Sequence, residues 1–557
     1  MLAGCLGIEV SDPLVHTQTG DASSSEDSSA GSLGGESPGT SGEGSEPSGT
    51  PEEGDDTGAE GPDEAPPVLR DLPPEPPGGP LAGFEERALE LGIEAFHDRE
   101  SNTFSTPGIA WGDYDEDGYL DLVLTSQAQP NRAFVGGPGG VFVEASWAED
   151  VALAEQVSSG VVAADYDNDG WLDLYVLADG PNSLLRNLEG TGFEERAELA
   201  GVATKGMGEG ANFVDFDDDG DLDLYVANNN FFPPDYLYRN DGEGSFEDVS
   251  QLLTFEARAR PAFSSSWFDY DLDGDVDLYV VNDKHAGNVL WRNDGPGCGY
   301  WCFTDVSDES GAALQMWSMG LALGDYDNDG DTDVFVTNIG EAALLENLSA
   351  QGEPSFVERA EHAGVLIDDD GWGDLGWGAQ FVDFDNDGWL DLYVAVGKWD
   401  PGPSQPNCLL RNNGDGTFTK LEDAGGASEP NVSYALAQAD FDDDGWVDLL
   451  VGNPGQRYSL FHNQGSGNHY LEIVLVSEDP AVNRDAVGSR ITVHDSLGRM
   501  HRRELVVGSS LGAGSSLRLH VGLGDAMPVS ARVEWPNGEQ ELFEQLPVDS
   551  TWAVVKQ

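Results

Sequence analysis

The pattern D-x-D-x-D-G-x-x-D occurs seven times in this chain, beginning at Asp113, Asp165, Asp215, Asp269, Asp325, Asp383 and Asp440. Successive copies start 52, 50, 54, 56, 58 and 57 residues apart. One chance match of five fixed positions is improbable, and seven at near-constant spacing make a repeat architecture.

The spacing dictates a chemistry. Ca²⁺ takes six to eight hard oxygens in a flexible shell. Carboxylates at loop positions 1, 3, 5 and 9 converge when the chain curls tightly, and position 7 adds its backbone carbonyl. Gly at position 6 supplies the positive φ of a sharp turn. The expected ligands are Asp113, Asp115, Asp117, Tyr119 and Asp121 in the first copy, and Asp165, Asp167, Asp169, Trp171 and Asp173 in the second. Asp215, Asp217, Asp219, Asp221 and Asp223 form the third set, and Asp269, Asp271, Asp273, Asp275 and Asp277 the fourth. The remaining sets are Asp325, Asp327, Asp329, Asp331 and Asp333; Asp383, Asp385, Asp387, Trp389 and Asp391; and Asp440, Asp442, Asp444, Trp446 and Asp448. Up to seven Ca²⁺ ions are expected, mainly as structural staples. An EF-hand needs Glu at position 12 and flanking helices. Here position 12 is Leu124 in the first copy and Val176 in the second, and the flanks are β-like, Gly108-Ile-Ala-Trp-Gly112 before and Leu122-Val-Leu124 after.

Each loop is followed by a short β run, such as Leu174-Tyr-Val176. A second apolar run ends in Arg-Asn, as in Leu184-Leu-Arg-Asn187, with variants Leu344-Leu-Glu-Asn347 and Leu460-Phe-His-Asn463. A Gly-rich turn then leads to a run opened by Phe. Four short strands repeated seven times predict an all-β fold, a seven-bladed β-propeller. The Phe-led run recurs at Phe84, Phe142, Phe193, Phe246, Phe303, Phe356 and Phe418, so one copy precedes the first loop and none follows the last. Phe84 to Ala88 is therefore expected to complete the last blade and close the ring, leaving no bare edge.

Composition bounds the rest. With 25 basic against 104 acidic residues the net charge is −79, which excludes nucleic-acid binding by bulk charge. No apolar run is long enough to span a membrane as a helix. Residues 1–80 carry 17 acidic residues and one basic, Arg70, in a Ser/Gly/Pro-rich setting that is expected to stay disordered. At its start, Leu2-Ala-Gly-Cys5 resembles a bacterial lipobox, which makes Cys5 a candidate lipidation site and the acidic stretch a tether. The charged and apolar regions of a signal peptide are missing ahead of it.

The loops resemble the FG-GAP or VCBS repeats of integrin α-type propellers. Asn468-His-Tyr-Leu-Glu-Ile-Val-Leu475, Val487-Gly-Ser-Arg-Ile-Thr-Val493, Leu519-His-Val-Gly-Leu-Gly524 and Val533-Glu-Trp-Pro-Asn-Gly538 resemble the ASPIC/UnbV domain. The two together resemble the cartilage acidic protein family and its bacterial relatives. Composition sets off the tether 1–80, which departs from the family, and the resemblance implies a propeller 81–467 and a small β domain 468–557. The resemblance also implies an exported, non-enzymatic binding protein; with the lipobox-like start, the expected place is the cell surface, the periplasm or outer membrane as a lipoprotein, or the extracellular space.

The last 90 residues hold 8 of the 25 basic residues, among them Arg490, Arg503 and Arg518. That cluster is expected either to dock on the acidic propeller or to bind a sugar or acidic ligand. Cys298 and Cys302 are placed to close a small hairpin disulfide in an oxidising compartment. No P-loop, G-x-S-x-G or H-E-x-x-H occurs. Propeller topology sends the loops opposite the Asp turns to one face, which collects Phe231, Phe232, Trp317, Trp372, Trp377 and Trp399. These aromatics either bind a protein or glycan or plug the central channel. The alternative function is a Ca²⁺-dependent polysaccharide lyase or hydrolase on that face, with Lys205, Lys284 or Lys398 as base.

Overall fold

The computed structural model describes residues 83–98, 106–366, 375–397, 405–428, 430–508 and 510–557. The tether with Cys5, and also Trp372, Lys398 and Trp399, lie outside the described residues.

The chain is all-β, and each repeat pairs as a four-stranded antiparallel blade. In the second, Ser158–Ala164 pairs with Asp173–Pro181, which pairs with Ser183–Asn187, which pairs with Phe193–Glu195. The same order holds from Lys205–Val214 to Phe246–Asp248 and from Ala262–Phe268 to Tyr300–Asp305. In every copy the Asp turn joins the first strand to the second, and the ninth-position Asp opens that second strand. Side chains along a strand alternate between its two faces. Leu174 and Val176 accordingly pack with Tyr114, Trp147 and Phe193 on one side. Tyr175 and Leu177 pack with Phe213 and Val226 on the other. Both faces of a blade are thus buried against neighbouring blades, so the second strands read as nearly continuous apolar runs.

The last blade takes its fourth strand from the start of the described chain. Phe84–Glu86 pairs with Ser459–Asn463, in the register Phe84↔Asn463 and Glu86↔Phe461. Phe84 is buried beside Phe384, ring centroids 6.2 Å apart and edge-on. The strand is shorter than expected. After Glu86 the chain turns into the short helix Ala88–Leu91, whose Ala88 and Leu91 enter the core between the last and first blades.

Beyond Asn463 two further sheets share one core. His469–Ser477 pairs with Leu519–Gly524 and, in parallel, with Thr551–Lys556. Arg490–Asp495 lies between Met500–Glu504 and Pro528–Glu534, and Gln540–Glu544 forms the edge. Leu471, Ile473, Ile491, Val493, Val521 and Val533 fill the space between them.

This C-terminal domain sits on the Asp turns. Arg490 pairs with Asp269, and Arg518 Nη1 lies 2.7 Å from Asp443 Oδ1. Arg499 Nη1 donates to the Asp387 carbonyl at 2.7 Å, and the Asp165 N–H donates to Asp485 at 2.9 Å. Of the two uses considered for the Arg cluster, docking is the one these contacts display.

The same domain threads a segment between the blades' first strands. Ala513–Gly514 pairs in parallel with Ile109 and Ala110, and the Val161 N–H donates to Gly512 O at 3.2 Å. Asn212 Nδ2 donates to the Val507 carbonyl at 3.0 Å, and Gln380 Nε2 donates to Ser515 Oγ at 2.9 Å. Leu511 is fully buried among Phe263, Met319, Trp377 and Tyr434. Gly508 and residues 510–514 are therefore the described part of the plug of the channel. Gly512 has φ 64° with its Cα against Gly160, where a side chain has no room.

Candidate metal centres

The Asp turns share one backbone geometry. The first-position carboxylate accepts the N–H groups of positions 5 and 6, for example Asp117 N and Gly118 N on Asp113 at 3.1 and 2.9 Å. The same pair of bonds recurs on Asp165, Asp215, Asp269, Asp325, Asp383 and Asp440. The fifth-position carboxylate takes the N–H of position 7 from Tyr119, Trp171, Asp221, Asp275, Trp389 and Trp446. Two residues per turn are left-handed. Position 6 is always Gly, with φ 92° at Gly118. Position 4 is also left-handed, at Glu116, Asn168, Asp218, Leu272, Asn328, Asn386 and Asp443. Asn and Asp tolerate that region best, which is the sequence signal that position 4 carried.

The ninth-position Asp has a second task. Asp173 is buried and accepts Tyr166 N at 3.3 Å on one oxygen and Asn187 N at 2.6 Å on the other. The Asn side chain then ties two blades together. Asn187 Nδ2 donates to Leu172 O in its own loop and to Tyr114 O in the loop before, both at 3.0 Å. Asn240, Asn293, Asn347, Asn412 and Asn463 repeat this clasp onto Tyr166, Phe216, Tyr270, Tyr326 and Phe384. In the first blade Gly136 stands at this place; its N–H reaches Asp121 at 2.9 Å, but it has no side chain to clasp the last blade's loop. The Arg-Asn signature of the third strand is thus explained by its Asn.

Position 3 is different. The Oδ1 atoms of Asp115, Asp167, Asp217, Asp271, Asp385 and Asp442 are buried and accept no hydrogen bond. A buried carboxylate oxygen without a donor costs free energy unless a cation satisfies it. Ligand oxygens of Asp113, Asp115 and Asp121 lie within 4.8 Å of one another, as do those of Asp165, Asp167 and Asp173, of Asp215, Asp217 and Asp223, and of Asp269, Asp271 and Asp273. Burial, with the neighbouring carboxylates adding to it, pushes Asp121, Asp165 and Asp440 up to about 8. Hard oxygens, orphaned and crowded, fit a Ca²⁺-type ion held by positions 1 and 3 with position 9 or position 5 completing the cluster. What the ion supplies there is charge neutralisation.

The other expected site residues separate. Phe231 and Phe232 are 61% and 79% exposed, and Lys284 Nζ lies 5.7 Å from the Phe231 ring centroid. Trp317 is partly buried, edge-on to His285 at 5.4 Å. Trp377 belongs elsewhere: it is buried, stacked on Tyr434 at 4.0 Å, under Leu511 of the plug. Of the two readings for this aromatic, its burial supports the channel plug. Cys298 and Cys302 are joined in a disulfide.

Residues 113–176, 165–226, 215–280, 269–336 and 383–451 match the FG-GAP-like repeat, and 433–470 match the FG-GAP repeat. Residues 479–557 match the ASPIC and UnbV domain. The chain belongs to the FG-GAP repeat family and ends in an ASPIC/UnbV domain. It is similar to cartilage acidic protein 1 of Mus musculus, 25% identical over 513 residues, which is 83% of this chain and 76% of that protein. The Homo sapiens counterpart is 25% identical over 479 residues, 78% of this chain and 69% of that protein. Among solved structures, an Agrocybe aegerita lectin that recognises non-reducing terminal N-acetylglucosamine aligns at TM-score 0.39 and 17% identity, over 58% of this chain and 83% of that one. The BP39L lectin of Burkholderia pseudomallei aligns at TM-score 0.42 and 10% identity, over 65% of this chain and 97% of that one. Among the described residues, no helix of this FG-GAP protein is long and apolar enough to cross a membrane.

Proposed function

We propose that this FG-GAP protein is an exported, calcium-stabilised, non-enzymatic binding module that engages a protein or glycan at the cell surface. The orphaned third-position oxygens carry the calcium reading: six buried acceptors in equivalent turns await a cation. The Cys298–Cys302 disulfide supports export, since such bonds persist in oxidising compartments. What is covered supports one place for the partner. The ASPIC/UnbV domain sits on the Asp turns and fills the channel, so the opposite face with Phe231, Phe232 and Lys284 is the surface left for a ligand.

Seven bound Ca²⁺ bring 14 positive charges and take the formal charge from −79 to −65. An ion that binds only the folded state stabilises it by mass action. Chelation by EDTA is expected to lower Tm by many degrees, and added Ca²⁺ to restore it. A melting curve indifferent to verified metal removal refutes the calcium reading. For the partner, a pull-down from the native cell surface is expected to lose its capture in the Phe231→Ala/Phe232→Ala variant. Turnover of uronic-acid polymers to unsaturated products would replace the binding reading by an enzymatic one.

A further inference from the structure

The seven turns share a sequence but not their surroundings. The residue before the clasp Asn is Arg186 in the second blade and Arg411 in the sixth. Arg186 lies on its own turn, Nε 2.5 Å from Asp167 and Nη2 2.7 Å from Asp169. Arg411 pairs with Asp385 and Asp387 in the same way. In the seventh blade His462 takes this place, 3.2 Å from Asp442. These are tethered cations on the carboxylates of positions 3 and 5.

Two blades depart from the pattern: in the fourth, Arg292 turns to Asp294 at 2.7 Å instead of its own turn, and the third departs differently. Its residue is Arg239, yet the ion pair of Arg239 is with Glu247, at 3.5 Å. Tyr300 stands between it and the turn. The Tyr300 hydroxyl donates to Asp217 Oδ2, and Arg239 Nη1 donates to that hydroxyl at 3.2 Å with its guanidinium 5.1 Å from the ring centroid. Tyr300 comes from the fourth blade, at the tip of the hairpin that Cys298–Cys302 closes with a Cα–Cα distance of 5.6 Å. Trp301 beside it anchors the hairpin: its Nε1 donates to Asn293 Oδ1 at 2.6 Å, and its ring meets Phe216 of the third turn edge-on at 6.4 Å. Asp217 Oδ1 stays buried with no donor.

We propose that Tyr300, held by the Cys298–Cys302 bridge, is a positioning residue that keeps the third turn open to its cation by holding Arg239 off Asp217 and Asp219. This rests on the calcium reading above. Arg239 occupies the place from which Arg186 reaches two carboxylates, so without the Tyr300 hydroxyl it settles there as a tethered competitor. The hydroxyl is neutral, fixes one oxygen of Asp217 and leaves the other for the ion. Outer-shell partners of this kind change metal affinity by about 10–100-fold. Coupling between two sites is reciprocal, so the ion in turn stabilises the bridge. Reduction by an external dithiol breaks the Sγ–Sγ bond. Two electrons and two protons pass to Cys298 and Cys302, giving two thiols, and the dithiol becomes its own cyclic disulfide.

The test uses the whole chain, titrated with Ca²⁺ by calorimetry and equilibrated in dithiothreitol redox buffers with thiols counted by alkylation. One calcium site is expected to weaken about tenfold in Tyr300→Phe and in the reduced wild-type protein. Saturating Ca²⁺ is expected to make the bridge about tenfold harder to reduce, about 30 mV in potential. Tyr300→Phe keeps its disulfide and loses that calcium dependence. Adding Arg239→Met to Tyr300→Phe restores the weakened site, which a merely structural role for Tyr300 does not explain. Should Tyr300→Phe fail to fold, the Cys298→Ser/Cys302→Ser pair reads the same weakened site. Calcium that binds the other turns while Tyr300→Phe behaves as wild type overturns this inference alone. No calcium binding at all overturns both readings.

Discussion

Glu209 shows how a single buried side chain sets a pH response. It lies in the first strand of the third blade, fully buried, and its Oε2 accepts the Thr106 N–H at 3.1 Å and the Thr106 hydroxyl at 2.7 Å. Burial outweighs those two bonds and pushes it from 4.5 up to about 8. A raised carboxyl stabilises the fold fully below its unfolded value and loses that contribution as pH rises through the folded one. Glu209→Gln is therefore expected to leave Tm unchanged near pH 4 and to raise it at pH 9. The gain is a few kcal/mol at most, at about 1.4 kcal/mol per unit. Paired thermal melts across pH check this, and a constant difference across pH would exclude it.

Elements are held to one another by repeated devices rather than by local propensity. The Asn clasp is one. Asn240→Ala leaves the Tyr166 and Leu222 carbonyls without their donor in a buried site. The expected loss is about 2–3 kcal/mol, read from denaturant melts. Ring closure is the other. Deleting residues 1–80 is expected to leave Tm nearly unchanged. Deleting residues 1–95 removes Phe84–Glu86, Ala88 and Leu91 and bares the Ser459–Asn463 edge. That loss is expected to be several kcal/mol with a tendency to aggregate. Identical melting curves for the two truncations would show that Phe84 contributes nothing to closure.

At the scale of the whole molecule, two domains share one charge problem. The turns gather carboxylates whose burial, cation aside, lifts Asp121, Asp165 and Asp440 to about 8. The sign is that of Glu209: the metal-free protein is most stable in acid and weakens as pH climbs towards 8. A cation reverses this by favouring the ionised form. In EDTA, Tm is expected to fall steadily from pH 5 to pH 9, and in Ca²⁺ to stay level or rise. Scanning calorimetry in both buffers distinguishes the cases. The plug joins the domains mechanically. Leu511→Ala empties a pocket formed by Phe263, Met319, Trp377 and Tyr434, and is expected to cost about 2–5 kcal/mol and to speed proteolytic separation of residues 468–557.

The chain by itself determined the repeat, the geometry of its Asp turns and the strand order. Those follow from local rules: carboxylate spacing, Gly where φ is positive, and apolar runs bounded by turns. Even the pairing of Phe84 with the last blade was legible, because it is a matter of counting strands. Tertiary structure decided what the turns face. Sequence alone leaves Trp377 open between a ligand-binding aromatic and a channel plug; burial decides for the second, and the loop that covers it lies more than 130 residues away in sequence. The clasp role of the Asn after Arg was invisible for the same reason, since its acceptor sits in the preceding blade. The third turn met Tyr300 and the second met Arg186, although both carry the same four Asp and the same Gly. Identical ligands in sequence become unequal sites in space because long side chains from other strands reach them, and reach is a property of the folded molecule.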